Sequence, residues 1–288
     1  RLIYADADYL PGLIIDKYGD YLVLQFNIEG INKYKDAIVE IVTRLFNPKG
    51  IYQNPMDKTD EGNFTDNGWI SGKGIELIPF EIDGLTYFAD TLGQGTGFYL
   101  DQRENAEQLA KFAKEKNVLD LFSYTGNFAI KMLKQGATHA ILVDNSKRAL
   151  EVAREACKYN KVIDRTAFVN ENVFEYIKNE NIKENLVVLD PPPLGKTSKN
   201  KSIIMNGYNE LSIRAINALP NDGILGTTCR SYKVKWSSWN KNINKAFIDT
   251  NSIGRLLYMG GQSIDFAPLD CIYETSYLKF NIYKIERF

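Results

Sequence analysis

The most constraining feature of this sequence is an alternation of short apolar runs with helical patterns that begins near Gly93. The apolar runs predict strands at Val118–Phe122, Ala140–Val143, Thr166–Val169, Leu186–Leu189, Ile224–Thr227 and Leu256–Met259. The intervening patterns predict helices around Phe128–Lys134, Ala149–Tyr159, Val173–Lys178 and Gly207–Leu219. Such alternation predicts an α/β fold, with a doubly wound parallel sheet between two layers of helices. Tyr277–Tyr283 has no helix after it and predicts an antiparallel last strand.

Residues 1–90 lack this alternation and predict a small α+β domain, which leaves 91–288 for the α/β domain. Strands are predicted there at Leu13–Ile15, Tyr21–Phe26 and Gly50–Gln53. One helix is predicted over Glu29–Phe46 from the apolar spacing of Ile38, Ile41, Val42 and Leu45. The dipeptide Asp83-Gly84 separates two further strand candidates, Glu76–Asp83 and Leu85–Ala89, and is typical of a β-hairpin turn.

Composition excludes several classes of function. No apolar run approaches the length of about 18 residues that a membrane span needs, so we expect no membrane insertion. His139 is the single histidine, which excludes a His-rich zinc site, and we expect no metal. Three cysteines without a CxxC spacing fit a reducing compartment, so we expect a cytoplasmic protein. The sequence leaves the oligomeric state open, with a homodimer among the alternatives.

The net charge of −1 hides a local excess of positive charge. Between Lys196 and Lys245, nine basic residues stand against two acidic residues, a local charge of +7. A segment of this kind favours contact with a polyanion. We expect RNA to be contacted by Lys199, Lys201, Arg230 and Lys233. The alternative is a solvated, lysine-rich face.

Polar and small residues follow each of the first four predicted strands of the α/β domain. Because ligands bind beyond the carboxyl ends of parallel strands, we expect these residues to form a binding site. The residues are Asp120, Ser123, Tyr124, Thr125 and Gly126, then Asp144 and Asn145, then Asn172 and Val173, and finally Asp190 with Pro191 and Pro192. Asp144 lies near the offset at which a carboxylate holds ribose hydroxyls, which predicts an adenosine-bearing cofactor.

The loop after the first of these strands decides between cofactors. A nicotinamide-binding loop carries the pattern G-x-G-x-x-G around a pyrophosphate, whereas this loop has Gly126 alone. A nicotinamide-dependent dehydrogenase is therefore disfavoured. S-adenosylmethionine (SAM) has ribose and adenine but no pyrophosphate, and we expect it as the cofactor. Asp120 and the neighbouring backbone would meet its sulfonium and amino-acid groups.

Four segments together resemble a known family. They are Gly93–Arg103 (GQGTGFYLDQR), Leu119–Gly126 (LDLFSYTG), Asp190–Pro192 and Glu274–Lys279 (ETSYLK). They look like the bacterial large-subunit ribosomal RNA cytosine-5 methyltransferases. The resemblance implies a class I SAM-dependent methyltransferase domain, a central α+β domain and a preceding PUA-type RNA-binding domain, which we expect this chain to lack. It also implies that Phe98, Tyr99 and Arg103 border the cofactor.

The resemblance fails at one important position. The family reads T-x-S-C-S after the fifth strand, and its cysteine adds to cytosine C6. An ungapped alignment places Arg230 at the nucleophile and Cys229 one residue early, on the opposite face of the strand. We assign Cys229 as the nucleophile, with a bulge at Thr227-Thr228 restoring its direction and Arg230 lowering the pKa of its thiol. Cys271 is a weaker candidate.

We expect Asp190 to hold the edge of the target base on a ledge formed by Pro191 and Pro192. Asn172 stands where the family often carries an acid, so adenine recognition departs from the family pattern. The resulting prediction is cytosine-5 methylation of large-subunit ribosomal RNA. Two alternatives stay open, a methyltransferase that modifies a guanine nitrogen and a noncatalytic RNA-binding protein that keeps the SAM fold.

Overall fold

The computed structural model describes residues 1–54, 67–179, 182–194 and 201–287, and the chain forms two compact units. The first unit consists of Arg1–Asp101 and Ile264–Thr275, and the second of Gln102–Ser263 and Ser276–Phe288. The first boundary therefore follows residue 101 rather than residue 90. Ile264–Thr275, which the sequence assigned to the α/β domain, belongs instead to the first unit.

The first unit contains a five-stranded sheet and a separate hairpin. The strands of the sheet are β1 (Ile3–Tyr4), β2 (Leu13–Tyr18), β3 (Tyr21–Phe26), β4 (Gly50–Gln53) and β5 (Gly68–Gly72), paired in that order. Only β3 and β4 are parallel. The hairpin joins β6 (Leu77–Ile82) to β7 (Leu85–Asp90). Its turn is the predicted one, because Asp83 and Gly84 both have positive φ, 51° and 72°, as a tight hairpin turn requires.

The predicted helix over Glu29–Phe46 is two helices in the structure. The first is α1 (Glu29–Asn32) and the second is α2 (Lys35–Phe46). Only Val42 of the predicted apolar face is fully buried, where it packs with strand residues of the core. Ile41 and Leu45 remain 44% and 65% exposed. The side of the helix that packs against the core is therefore narrower than the apolar face that the sequence spacing predicts.

The second unit alternates helices with strands from Gln102 onward. Its helices are α3 (Arg103–Ala110), α4 (Asn127–Lys134), α5 (Lys147–Tyr159), α6 (Val173–Asn179), α7 (Lys201–Ala218) and α8 (Trp236–Asp249). Its strands are β8 (Asn117–Leu121), β9 (His139–Asp144), β10 (Thr166–Asn170), β11 (Leu186–Leu189), β12 (Ile224–Arg230), β13 (Ser252–Gly260) and β14 (Leu278–Arg287). The predicted α/β fold is confirmed.

These strands form one seven-stranded sheet in the order β10-β9-β8-β11-β12-β14-β13. β14 lies antiparallel to both of its neighbours, as the sequence predicted for the last strand. The other pairs within the sheet are parallel. The order reverses between β8 and β11, so the loops after these two strands border the crevice in which such sheets bind ligands.

Helix α8 was not predicted, although its buried residues share a helical spacing. Trp239, Ile243, Ala246 and Phe247 are buried along one side of it. The remaining positions are rich in Asn, Ser and Lys, which masks the apolar period in the sequence. Within the part of the chain that the structure describes, no helix combines the length and the apolarity that crossing a membrane requires.

Candidate functional site

The loop after β8 provides the floor of the candidate site. Asp120, inside that strand, is 1% exposed, and its Oδ2 accepts a hydrogen bond from the backbone N–H of Ala129 at 3.1 Å. Burial raises the pKa of the Asp120 carboxyl well above its ordinary value, and the nearby carboxylates of Asp190 and Asp144 act in the same direction. Through this hydrogen bond, Asp120 links β8 to the first turn of α4.

The backbone of this loop adopts the left-handed conformation at every second residue. Phe122, Tyr124 and Gly126 have φ values of 62°, 47° and 82°. Only glycine adopts this region freely, and each side-chain-bearing residue there costs roughly 1–2 kcal/mol. A Cβ on Gly126 would also lie 3.1 Å from Leu142 Cδ2 and 3.3 Å from Ala153 Cβ. Backbone strain at two positions so close together, Phe122 and Tyr124, is typical of a ligand-binding loop.

Several buried polar atoms at the end of β8, in this loop and at the start of α4 have no hydrogen-bond partner among the described residues. They are Asp120 Oδ1, Ser123 Oγ and both the nitrogen and the oxygen of the Asn127 side-chain amide. Native proteins leave few buried polar atoms unpaired, so a cluster of them marks the place of an absent partner. A polar ligand that carries donors and acceptors, as the amino-acid end of SAM does, fits this donor and acceptor set.

Asp144 joins the loop after β8 to the loop after β9. Its Oδ2 accepts the backbone N–H of Tyr124 at 2.9 Å, and its Oδ1 accepts the backbone N–H of Ser146 at 2.8 Å. Each carboxylate oxygen retains a second lone pair that can accept a ribose hydroxyl. Asn145 beside it is exposed. The predicted ribose contact of Asp144 thus remains a prediction that this geometry accommodates.

The predicted adenine contacts after β10 have structural roles of their own. Asn172 is exposed, and its Oδ1 accepts the backbone N–H of Phe174 at 2.9 Å, which caps the start of α6. Val173 is 2% exposed and belongs to the hydrophobic core. Its side chain packs inside the unit, and its predicted contact with the cofactor stays a prediction.

The segment before α3 was expected to border the cofactor. Phe98 lies in the first unit and is 4% exposed, with ring centroids 5.0 Å from Phe80 and 5.3 Å from Tyr87. It is a core residue of that unit, and its predicted contact with the cofactor stays a prediction. Tyr99 also lies in the first unit, where its hydroxyl donates to Gln94 Oε1 at 3.0 Å. Arg103 begins α3 in the second unit, and the cofactor contacts of Tyr99 and Arg103 stay predictions.

Asp190, just after β11, is held by a bidentate ion pair. Arg230 Nε lies 3.0 Å from Asp190 Oδ1, and Arg230 Nη2 lies 3.1 Å from Asp190 Oδ2. The two side chains are only 7% and 12% exposed. Arg230 was predicted to contact RNA, but its guanidinium is committed to Asp190 and is screened from solvent. Beside this pair, Pro191 is buried and Pro192 is exposed, and both remain predicted parts of the base ledge.

Two further residues of this site were missed by sequence reasoning. Gln102 Nε2 donates to Asp190 Oδ1 at 3.0 Å and to Thr228 Oγ1 at 3.2 Å. Asn105 Nδ2 donates to Gln102 Oε1 at 2.6 Å. Gln102 and Asn105 are each 1% exposed. Uncharged amides give no charge or periodicity signal, and the only hint in the sequence was that Gln102 lies inside the family-like segment Gly93–Arg103.

The surroundings of Cys229 differ from those predicted. β12 pairs with β14 without interruption from Ile224 to Arg230, so the bulge predicted at Thr227-Thr228 is wrong. Cys229 is 0% exposed and packs in the core together with Tyr208 and Trp239. Burial raises the pKa of its thiol to about 11, so the predicted lowering by Arg230 is also wrong. Regular alternation points Arg230 toward Asp190 and Cys229 into the opposite face.

The remaining predicted RNA contacts lie partly outside the described residues. Lys199 falls there, and Lys201 begins α7 without a described side chain. Lys233, in the loop after β12, is exposed, with its Nζ 5.8 Å from the centroid of the Tyr232 ring. Lys235 and Lys241 are exposed on the same stretch of chain. Over residues 1–54, 67–179, 182–194 and 201–287, no three His, Cys, Asp or Glu side chains are grouped as metal ligands would be.

Comparison with known proteins agrees with the expected SAM-dependent enzyme. The profile of a family described as S-adenosylmethionine-dependent methyltransferase matches residues 62–231. "Ribosomal RNA large subunit methyltransferase I" of Aliivibrio fischeri is 33% identical over 288 residues, which cover 97% of this chain and 72% of the relative. The protein of the same name from Escherichia coli is 32% identical over 294 residues, with the same coverage.

Solved structures agree in fold. A putative SAM-dependent methyltransferase from Streptococcus mutans matches with a TM-score of 0.83 at 24% identity, over 97% of this chain and 73% of that one. A putative methyltransferase complexed with SAH matches with a TM-score of 0.84 at 24% identity, over 98% and 74%. Together with the strand order and the loop after β8, the family match shows that this chain belongs to the S-adenosylmethionine-dependent methyltransferases and uses SAM as its cofactor.

Proposed function

We propose that this protein methylates large-subunit ribosomal RNA. The observation that carries the proposal is the extent of the likeness to the relatives named for that activity, since the alignment with the protein from Aliivibrio fischeri covers 97% of the chain at 33% identity. It includes both units rather than the SAM-binding sheet alone. A ribosomal RNA substrate also favours a cytoplasmic location, and a homodimer stays a prediction.

SAM supplies an electrophilic methyl group when it is bound. The residues proposed to hold it carry unpaired polar groups on either side of and within the loop after β8, with Asp144 at the ribose. They are Asp120 in β8, Ser123 in the loop and Asn127 at the start of α4. The hydrogen bond from Tyr124 N–H to Asp144 ties these two parts of the site together. Because the loop is already held in its left-handed turns, little backbone ordering remains to be done on binding.

Asp190 is the proposed contact for the target base. It lies at the carboxyl end of β11, next to β8 in the sheet and so next to the loop proposed to hold SAM. A carboxylate accepts hydrogen bonds from the amino or ring N–H groups on the edge of a nucleobase. A base in a duplex cannot reach such a site, so we propose a single-stranded or flipped-out target nucleotide.

For the target atom we propose cytosine C5. This carbon is a poor nucleophile until a thiolate adds at C6, after which C5 takes the methyl group and loss of its proton expels the thiol. Cys229 is adjacent in sequence to Arg230, whose side chain holds Asp190. Its thiol faces the core, however, so this chemistry requires the end of β12 to turn when RNA binds.

The experiment for this step uses RNA that carries 5-fluorocytosine. Fluorine blocks the elimination that frees the thiol, so a thiol mechanism leaves a covalent protein–RNA adduct that survives denaturing electrophoresis. Cys229→Ala should abolish both adduct and methylation, whereas Cys157→Ala, at a second buried cysteine, should retain both. An adduct that persists in the Cys229→Ala protein and disappears in Cys271→Ala would reassign the nucleophile to the exposed cysteine.

A guanine nitrogen is the second candidate target, favoured by the complete burial of Cys229 and its raised pKa. A ring nitrogen carries its own lone pair and needs no thiol. In that case no adduct forms with 5-fluorocytosine, and Cys229→Ala remains active. Mapping of methylated nucleotides by mass spectrometry, on large-subunit RNA incubated with SAM and protein, separates the two targets. Methylation of small-subunit RNA alone would contradict the proposed substrate.

A further inference from the structure

The residues around Asp190 form a chain of hydrogen bonds with a fixed direction. Asn105 Nδ2 donates to the backbone carbonyl of Gly261 at 2.8 Å and to Gln102 Oε1 at 2.6 Å. Gln102 Nε2 in turn donates to Asp190 Oδ1. All members lie in the second unit. The chain thus connects the segment after β13, helix α3 and the residue that follows β11.

The direction of this chain follows from its first member. A backbone carbonyl can only accept hydrogen bonds, so Asn105 must present its amino group to Gly261. The second hydrogen of that amino group then points to Gln102 and requires an oxygen there. Gln102 is left with its amino group facing Asp190, which as a carboxylate can only accept. Reversal of either amide would place two acceptors against each other in a buried site.

The two oxygens of Asp190 are consequently unequal. Oδ1 accepts two donors, Gln102 Nε2 and Arg230 Nε, each at 3.0 Å. Oδ2 accepts one donor, Arg230 Nη2 at 3.1 Å. Since a carboxylate oxygen offers about two lone-pair sites, Oδ1 is filled and Oδ2 retains one free site.

We propose that Gln102 is a positioning residue, oriented by Asn105, that fixes Asp190 so that Oδ2 is the oxygen offered to an N–H group of the target base. This inference rests on the proposed function, because it takes Asp190 as the contact for the base. It assigns Gln102 no contact with RNA or SAM. It also makes Asn105 functionally important, although Asn105 makes no hydrogen bond to Asp190.

The test compares Gln102→Met, Asn105→Leu and the double variant on large-subunit RNA. Each single variant should lower kcat at least about 10-fold, the scale of one lost charge-assisted hydrogen bond, with the Kd for SAM changed less than twofold. The double variant should be no slower than Gln102→Met, because both changes break one chain. Gln108→Met, at a glutamine on the same helix that pairs with Lys111, is the matched control and should match the wild type.

Three outcomes of this comparison would overturn the proposal. In the first, the losses of kcat in the two single variants multiply in the double variant. In the second, SAM affinity falls in parallel with kcat. In the third, Asn105→Leu has the kcat of the wild type. A second measurement uses the wild-type protein alone, so it depends neither on the folding of the variants nor on the substrate. The side-chain amide protons of Gln102 and Asn105 should exchange slowly with solvent in the wild-type protein, as followed by NMR, and those of Gln108 rapidly. Slow amide exchange in a protein that methylates no ribosomal RNA would leave the chain intact and refute only the proposed function, whereas rapid exchange refutes the chain itself.

Discussion

Arg230 donates two parallel hydrogen bonds to Asp190, and both side chains are almost completely buried. Removing one partner of such a pair leaves the other charge buried, which typically costs about 3–5 kcal/mol. We therefore expect Arg230→Met to lower the free energy of unfolding by about 3 kcal/mol, as measured by urea denaturation. In a double-mutant cycle with Asp190→Asn, the coupling should exceed about 1 kcal/mol.

Arg255 and Glu286 provide a matched control for this prediction. They form the same bidentate geometry, with distances of 2.6 Å and 3.1 Å, but Arg255 is 64% exposed. Arg255→Met should change stability far less than Arg230→Met, because water screens an exposed pair. Equal losses in the two variants, or an additive cycle for Arg230 and Asp190, would contradict a burial-dependent role of the Arg230 ion pair.

Asp144 should be required for SAM affinity. Asp144→Ala removes a charge-assisted contact to the ribose, worth roughly 1.5–3 kcal/mol, and should weaken SAM binding about 10- to 100-fold. Isothermal titration calorimetry measures this directly. Asp164→Ala, at an exposed aspartate, is the control and should bind SAM as the wild type does. Unchanged affinity in Asp144→Ala would remove Asp144 from the cofactor site.

The exposed lysines after β12 should contribute to RNA binding. Replacement of Lys233, Lys235 and Lys241 by Gln should weaken RNA binding and reduce the salt dependence of the association constant, by about 2 in the log–log slope for three lost phosphate contacts. SAM affinity should not change. The control is a variant in which Lys111, Lys114 and Lys134 are replaced together. These exposed lysines precede β8 and β9, so they lie toward the amino-terminal ends of the parallel strands. A salt slope equal to that of the wild type would show that Lys233, Lys235 and Lys241 form a solvated surface.

Asp120 should make stability fall as the pH rises. Its pKa is raised by burial in the folded protein, so between the ordinary carboxyl pKa and the raised value the folded state holds a proton that the unfolded chain releases. Asp120→Asn has no such proton and keeps an acceptor for Ala129 N–H. We therefore expect the stability of Asp120→Asn relative to the wild type to be higher at pH 8 than at pH 4.5, as measured by urea unfolding. Asp249→Asn, at an exposed site, should show no such gain, and parallel curves for the wild type and Asp120→Asn would contradict the raised pKa.

The three thiols should differ in reactivity. Burial raises the pKa of Cys157 to about 12 and that of Cys229 to about 11, while Cys271 is exposed. Because thiolate is the reactive form, iodoacetamide at pH 8 should modify Cys271 first in the native protein. If Cys229 is the nucleophile, addition of SAM and RNA should make it reactive. Peptide mass spectrometry reports each site, and a Cys229 that stays protected throughout turnover would favour the nitrogen target.

Sequence patterns predicted the sheet of the second unit well, because buried strands are short apolar runs that need no partner to be recognised. They failed where tertiary contacts decide. The bulge at Thr227-Thr228 is absent because β12 is paired on both sides, with β11 and β14, so an extra residue would break two ladders. The amide chain through Gln102 escaped prediction because its two amides, Gln102 and Asn105, are uncharged and because Asp190 and Gly261 lie far from them in sequence.

The segment Ile264–Thr275 has a consequence for how the protein is made. Within the first unit, Tyr4 donates its hydroxyl to the carbonyl of Thr275 at 2.9 Å, and its ring lies 5.7 Å from that of the buried Phe266. A ribosome that adds roughly 5–20 residues per second reaches these partners many seconds after Asp101 has emerged. The second unit likewise waits for β14, which enters the sheet between β12 and β13. Neither unit can finish folding until these late segments have been made, and a single cut in the gene cannot yield both units complete.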